Sequence, residues 1–306
     1  MRLWIGLYLP QLPLEVFSPN WSTDAGCVVL EQERVLAASP LARAAGVQIG
    51  MRRGGVLMLM PEARIVERSL EHEAEALHAV AMALLQYTPQ VTQAEESTLL
   101  IDIGASLRLF GGIRALCRRV RVSLRALGFS GCLSCAPTAR GSWMLARRRA
   151  GRVLTVATLT RRLDRLPSTL PPPARSYAAW FEGIGCFDIG AMRRLPRPGL
   201  QRRCGRALLD MLDAAYGMAP ELFEWIEAPT VFHAKIELFD RIENAEQCLQ
   251  GAERLVQQLT GWLCAHQLAV ERITLLLEHE RGRVARPPTA VASGLVQSTT
   301  IASAFT

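Results

Sequence analysis

No stretch of this sequence is apolar for long enough to span a bilayer, so no membrane partner is expected. The opening, MRLWIGLYLPQLPLEVF, has one early arginine, but Pro10 and Pro13 break its short apolar run and no small-residue cleavage site follows. That argues against a secretory signal and for a cytoplasmic location. Paired cysteines are scarce as well. Of eight cysteines only Cys132 and Cys135 stand in a CxxC spacing, and no second Cys or His pair completes four zinc ligands. Small buried residues in a reducing compartment are the plainer reading. Lysine is nearly missing: Lys235 is the only one among 35 basic side chains. Arginine carries the charge, and codon bias in a GC-rich genome accounts for that as readily as function does.

At 306 residues, 50% of them hydrophobic, the chain is long enough for two or three packed domains. A net charge of +7 favours polyanionic partners. Residues 2–9 read as a buried first strand, and 27–38 as two strands around a polar turn at Glu31–Arg34. SPLARAAGV reads as a short helix ended by Gly46. Residues 47–66 read as a loop-rich insert with one strand, RIV. An amphipathic helix is expected from Ser69 to Tyr87, with Leu70, Ala74, Leu77, Ala81, Leu84 and Leu85 on its apolar face. TLLIDI (Thr98–Ile103) is an apolar strand. A helix over 113–127 turns Ile113, Leu116, Val120, Leu124 and Leu127 inward and sets Arg114, Arg118, Arg121 and Arg125 on the opposite face. GCLSCAPTA leads from a strand into a helix from Thr138 to Arg148. This alternation predicts a mixed α/β (α+β) core. Pro167–Ser176 is expected to be a proline-rich linker, followed by a compact helical stretch to about Tyr216. Strand 231–239, helix 245–265 and strand 270–279 make a β-α-β unit, and the tail 285–306 is expected to be disordered or poorly packed.

Nucleotidyl transfer needs two or three carboxylates converging on two divalent metals, usually at strand ends of a sheet. The first strand offers Gly6 and Tyr8 where an acid pair would be needed. Glu95 and Glu96 precede the TLLIDI strand and Asp102 lies near its end. These three are the weak catalytic candidates; a solvated turn and a cap before Gly104 are the blander readings. No cofactor is expected, and Mg²⁺ only if these acids form an unorthodox site. Arginine is the stronger signal. From Arg140 to Arg206 there are fifteen arginines against Asp164, Glu182 and Asp188, a density suited to phosphate contact. Within it, WFEGIGCFDIGAMRRLP has the helix, Gly-hydrophobic-Gly turn and helix of a helix-hairpin-helix. In such a motif the glycines let backbone N–H groups approach a phosphate; an alternative register puts the turn earlier and makes Gly185 a helix end. Gly183, Gly185, Arg193, Arg194, Arg202 and Arg203 are therefore the DNA-binding candidates.

Several stretches together resemble one family. Ala37–Val47 after the strand hairpin is similar to the fingers of Y-family DNA polymerases, LLIDIGASLRLFGG to their second palm motif, and SCAPTARGSWMLAR to the palm helix that follows. The arginine-rich hairpin segment resembles their thumb, and 231–279 the first half of their little finger. The resemblance covers roughly residues 1–284 and implies a palm from 1–25 and 67–166, fingers from 26–66, a small helical thumb from 167–228 and a partial little finger from 229–284. It places the first metal-binding aspartate at Gly6. The Asp-Glu pair falls near Ser97 and Thr98, or on Glu95 and Glu96 if two residues are inserted. The fingers tyrosine falls at Pro40, the fingers arginine at Arg43, and the palm lysine at Trp143. Arg43 alone survives, as a nucleotide-binding remnant. The departures fit a branch of polymerase-like subunits that lack catalytic residues. Such a branch implies an inactive adaptor in SOS-induced, error-prone translesion synthesis, with primer-template DNA bound without sequence preference. Its partners would be a replicative-type error-prone polymerase, a RecA-like accessory protein and the sliding clamp. The alternatives are an active error-prone polymerase and a truncated remnant without function. QLPLEVF (Gln11–Phe17) also resembles a clamp-binding peptide, although it directly follows a buried strand.

Overall fold

The computed structural model describes residues 2–20, 22, 24–149, 151–237, 245–271, 273–279 and 299–304. In chain order its elements are β1 (Trp4–Tyr8), α1 (Leu12–Glu15), β2 (Cys27–Glu31), β3 (Arg34–Ala38), α2 (Pro40–Ala44), α3 (Arg53–Leu59), β4 (Arg64–Glu67), α4 (Leu70–Leu84), β5 (Val91–Ala94), β6 (Thr98–Asp102), α5 (Ile113–Ala126), β7 (Cys132–Ala136), α6 (Ala139–Arg147), α7 (Val156–Leu163), a 3-10 turn Pro172–Tyr177, α8 (Ala178–Gly183), α9 (Ile189–Arg194), α10 (Arg197–Cys204), α11 (Arg206–Ala215), β8 (His233–Ile236), α12 (Ala245–His266), β9 (Leu276–His279) and β10 (Thr299–Ala304). Two compact units result. One takes in Met1–Tyr8, Gln90–Leu116 and Cys132–Ile226; the other Leu9–Pro89, Cys117–Gly131 and Glu227–Thr306. No helix among the described residues is long and apolar enough to cross a membrane.

The first unit is built on an antiparallel sheet ordered β5-β6-β1-β7. Central β1 is apolar at nearly every position, as a strand buried on both faces must be, and Ile5 and Leu7 have no exposure. Thr138 starts α6 by accepting a hydrogen bond from the Gly141 amide at 3.1 Å. One apolar core then runs from Trp4, Leu100 and Trp143 through Leu159, Phe181 and Ile189 to Leu208 and Leu212. Pro167–Ser176, expected as a linker, is packed instead. Ser168 and Ala174 are buried, and the segment closes into the 3-10 turn. Proline removes donors but not apolar surface, and here the core claims that surface. The helix α7 was not anticipated.

In the second unit β2 and β3 form a hairpin with β4 parallel to β2. Gln32 and Glu33 make the two-residue turn at φ 49° and 62°. Val28, Leu30, Val35, Ala42, Val47 and Val56 fill the small core beneath. Val56 comes from α3, a helix in a stretch read as loop and one strand. The QLPLEVF segment is α1 and its flank, with Leu12, Leu14, Val16 and Phe17 all buried, so it is core rather than an exposed peptide. On α4 the apolar face is shifted: Leu70 and Ala74 are exposed, while Glu73, Ala76, Leu77, Val80, Ala81 and Leu84 are buried. Glu73 tolerates burial because Arg68 bonds both its oxygens, at 2.6 and 2.8 Å. α12 packs on α4, and Gln257 Oε1 accepts from Ser123 Oγ at 3.2 Å. The strand-helix-strand unit at 231–279 holds one surprise. β8 and β9 do not pair with each other; β10, from the tail expected to lack order, lies antiparallel between them. Its sequence TTIASA is short and partly β-branched, which suits a strand. Residues 285–298 lie outside the described residues.

Candidate functional site

Side chains alternate along a strand, so Trp4, Gly6 and Tyr8 of β1 share a face. The helix α6 crosses that face at Gly6. A Cβ built there would stand 2.5 Å from the Ser142 carbonyl oxygen and 3.0 Å from the Trp143 amide nitrogen. Backbone fills the space, so no side chain fits unless α6 moves. Two residues on, the Tyr8 ring lies 4.6 Å from the Arg147 guanidinium, which stacks at 3.3 Å over Trp143.

Glu95 and Glu96 stand in the β5–β6 turn, where Glu96 and Ser97 take φ 57° and 50°. Both carboxylates are held by arginine. Glu95 pairs with Arg140, and Glu96 with Arg175 and, at 3.0 Å, with Arg147. Arg147 also donates to Thr98 Oγ1 at 3.0 Å, to the Glu95 carbonyl at 3.1 Å and to the Trp143 carbonyl at 3.0 Å. Its side chain is only 6% exposed. Burial alone would push both glutamates up. Hydrogen bonds from Arg140 to Glu95, and from Arg175 and Arg147 to Glu96, outweigh it and hold both below the ordinary carboxylate range. Burial draws the Arg147 guanidinium down, and Glu96 opposes that.

Asp102 is at the other end of β6. Thr98 pairs with Tyr8 and Asp102 with Trp4, so four strand steps, about 13 Å, separate the acid from the turn. Its Oδ1 accepts from the Gly104 amide at 2.9 Å, and Arg2 stands 4.0 Å from Oδ2. The structure therefore does not bring Glu95, Glu96 and Asp102 together, and the residues present do not fit a two-metal centre. Among the described residues no three of His, Cys, Asp and Glu gather into a possible metal site. Cys132 and Cys135, three residues apart on β7, point to opposite faces of the sheet. Trp143, at the position assigned to a palm lysine, is wholly buried and donates from Nε1 to the Glu95 carbonyl at 3.2 Å. Arg43 is exposed on α2 in the second unit, one turn after Pro40 at the helix start.

The arginine-rich hairpin is α8 and α9, with Gly185 at φ 71° between them. That φ suits glycine, and Gly185 closes α8 as a helix end, as the alternative register has it. The amides of the turn are otherwise engaged. Ile184, Gly185 and Cys186 bond back into α8, at Trp180, Glu182 and Phe181. At the start of α9, Ile189 and Gly190 donate to Leu166 and Asp164, and Ala191 to the Asp188 carboxylate at 2.6 Å. Phosphate contact at Gly183 and Gly185 would have to come from neighbouring side chains. Arg193 is engaged too: it donates to Asp164 at 2.8 Å and lies 3.8 Å over the Tyr216 ring, whose hydroxyl donates to the same oxygen at 2.6 Å. Burial and that bond push the Tyr216 phenol up. Arg194, Arg202 and Arg203 are exposed. Among the described residues Arg202 bonds only the Pro198 carbonyl, at 3.3 Å, and Arg203 lies 5.4 Å from the Trp180 ring.

Sequence reasoning missed Arg140, Arg147 and Arg175. One signal was available: Trp143 and Arg147 stand four apart on one helix, so their side chains stack.

The sheet, the helix crossing it and the arginine-rich helical segment define the class: this is the fold of a Y-family DNA polymerase. Dbh in a ternary complex superposes over 99% of this chain and 98% of its own, with a TM-score of 0.57 at 16% identity. DinB from Sulfolobus solfataricus does so over 98% and 97%, with a TM-score of 0.55 at 14% identity. Residues 15–147 match the impB/mucB/samB family. Among curated proteins the chain is similar to Protein ImuB of Caulobacter vibrioides, 24% identical over 241 residues, covering 78% of this chain and 52% of that one. It thus spans about half the length of the curated relatives it matches.

Proposed function

We propose that this protein is a DNA-binding, catalytically inactive adaptor in SOS-induced, error-prone translesion synthesis in the cytoplasm. One observation carries the reading. At the place where the resemblance sets the polymerase carboxylates, β1 has a glycine with no room for a side chain, and Arg147 with its neighbours neutralises the glutamates that remain. In a polymerase, divalent metals supply that positive charge. The register of β6 weighs against the active-polymerase alternative, because Asp102 stands about four strand steps from Glu95 and Glu96.

The DNA ligand is supported by the arginines of 167–228 and by solved neighbours that include insertion and post-insertion complexes of Dbh DNA polymerase. The basic surface would hold primer-template DNA through its backbone, without reading sequence. Likeness to ImuB supports a replicative-type error-prone polymerase as partner. A RecA-like accessory protein and the sliding clamp complete the proposed set, with any clamp contact made outside the buried QLPLEVF segment.

The test is primer extension with Mg²⁺ or Mn²⁺ and dNTPs, run beside fluorescence anisotropy on primer-template DNA at two salt concentrations. Binding that weakens with salt, is indifferent to sequence and comes without extension is the expected result. Metal-dependent extension that disappears in Glu95→Ala or Glu96→Ala would overturn the inactive reading. Binding unchanged by salt would sink the DNA-backbone reading.

A further inference from the structure

The helix α5 reads IRALCRRVRVSLRA: five arginines and no acid in fourteen residues. Arg114, Arg118, Arg119, Arg121 and Arg125 are all exposed. Four of them recur at i, i+4, i+7 and i+11, which lines them up as one stripe about 16 Å long. The other face fixes the helix, because Leu116, Cys117, Val120 and Leu124 are buried. The stripe is therefore a row of guanidinium groups on a rigid support.

Four of these arginines differ from the ion-paired ones of the first unit. Arg140, Arg147, Arg175, Arg193 and Arg197 each meet a carboxylate. Arg114, Arg118, Arg121 and Arg125 have no ion-pair or hydrogen-bond partner among the described residues. Like charges one turn apart destabilise a helix, and Arg114 stands in the first turn, where the helix dipole disfavours a cation. A partner of opposite charge would relieve both effects.

We propose that this face of α5 is a second nucleic-acid surface, which holds a phosphodiester backbone on an element separate from residues 167–228. The inference rests on the DNA-binding reading above. Guanidinium forks match phosphate oxygens in pairs. An acidic protein segment is the rival occupant, but protein partners anchor on apolar and aromatic side chains at the centre of an interface. Val122 is the only large apolar side chain exposed on α5. A face of charge with so little apolar surface suits backbone recognition.

The test is the full chain with Arg118→Gln, Arg121→Gln and Arg125→Gln combined, set against wild type and against Arg202→Gln with Arg203→Gln. The probes are a fluorescein-labelled mixed-sequence 30-mer as duplex and as single strand, and poly-glutamate. Helicity and melting temperature check that the variant folds. Affinity for DNA should fall at least about tenfold at low salt, and the slope of log K against log salt should shrink by about 2–3. If wild type binds DNA and the triple variant matches it in affinity and slope, this inference is overturned while the DNA-binding reading stands. If the variant loses poly-glutamate and keeps DNA, the face belongs to an acidic protein segment. If wild type binds neither DNA probe, the DNA-binding reading fails and this inference with it.

Discussion

A glycine in mid-strand has no side chain to pack, so one retained at the centre of a sheet needs a reason. At Gly6 the reason is the backbone of α6, 2.5 Å from where a Cβ would be. Gly6→Ala should destabilise the protein by about 1–3 kcal/mol through overpacking, read as a lower urea midpoint at unchanged m. Adding Gly6→Asp to Ser97→Asp and Thr98→Glu should not produce primer extension, because the space and the charge are already taken; extension by that triple variant would show that α6 yields. Glu96 gives a second test. Its folded-state pKa lies below 4.5, the ordinary glutamate value. A depressed carboxylate adds stability that is present above its unfolded pKa and is lost as pH falls through the folded one. The gap in unfolding free energy between wild type and Glu96→Gln should therefore be full at neutral pH, narrow below 4.5 and close in stronger acid. A gap that persists in strong acid would mean the lost stability came from packing.

At the scale of elements, close approach again decides. On α12 a Cβ at Gly261 would overlap the carbonyl oxygen of Met82 on α4. In an isolated helix glycine to alanine gains about 1 kcal/mol. Here the two helices would have to part, so Gly261→Ala should lower the melting temperature and speed amide exchange along 245–266. A raised melting temperature would mean the helices have room to spare. Elements whose burial follows a single period were legible in the sequence. On α5, Leu116, Val120 and Leu124 are buried, as is Leu127 just past its end, and its arginines are exposed, as the spacing predicts; Ile113 is half-buried. The face of α4 was misread because Glu73 is buried and Leu70 exposed, and a charged residue at a core position hides its pattern unless its partner, Arg68, is known. The helix α3 carries RGGVLML, with two glycines and one buried position, too little for any period to register. At the site, Glu95 and Glu96 were visible as acids before a strand. Their arginine partners were not, because Arg140, Arg147 and Arg175 lie 45, 51 and 79 residues away in the chain. Pattern reading reaches one element at a time, whereas this cluster exists only once strand, turn and helix have met.

At the scale of the whole molecule, the question is which arginines make a basic protein bind DNA. Net charge cannot answer it, since a guanidinium already paired with a carboxylate is not free to neutralise a phosphate, and it is that neutralisation that releases the counterions condensed on DNA. Arg193 is so paired, to Asp164, and its stacking on Tyr216 holds it in place. Arg202 is exposed and, among the described residues, bonds only a carbonyl. The two should separate cleanly. Arg202→Gln should weaken binding to primer-template DNA and reduce the salt slope by about 1, with unfolding unchanged. Arg193→Gln should leave the slope as it is. It should lower stability instead, because Asp164 loses its ion pair and the Tyr216 ring its stacked guanidinium in a partly buried network. Anisotropy titrations across a salt series, with urea unfolding on the same samples, measure both. If Arg193→Gln lowered the slope as Arg202→Gln does, the Asp164 pair would have to open when DNA binds, and the grip would extend to the hairpin itself.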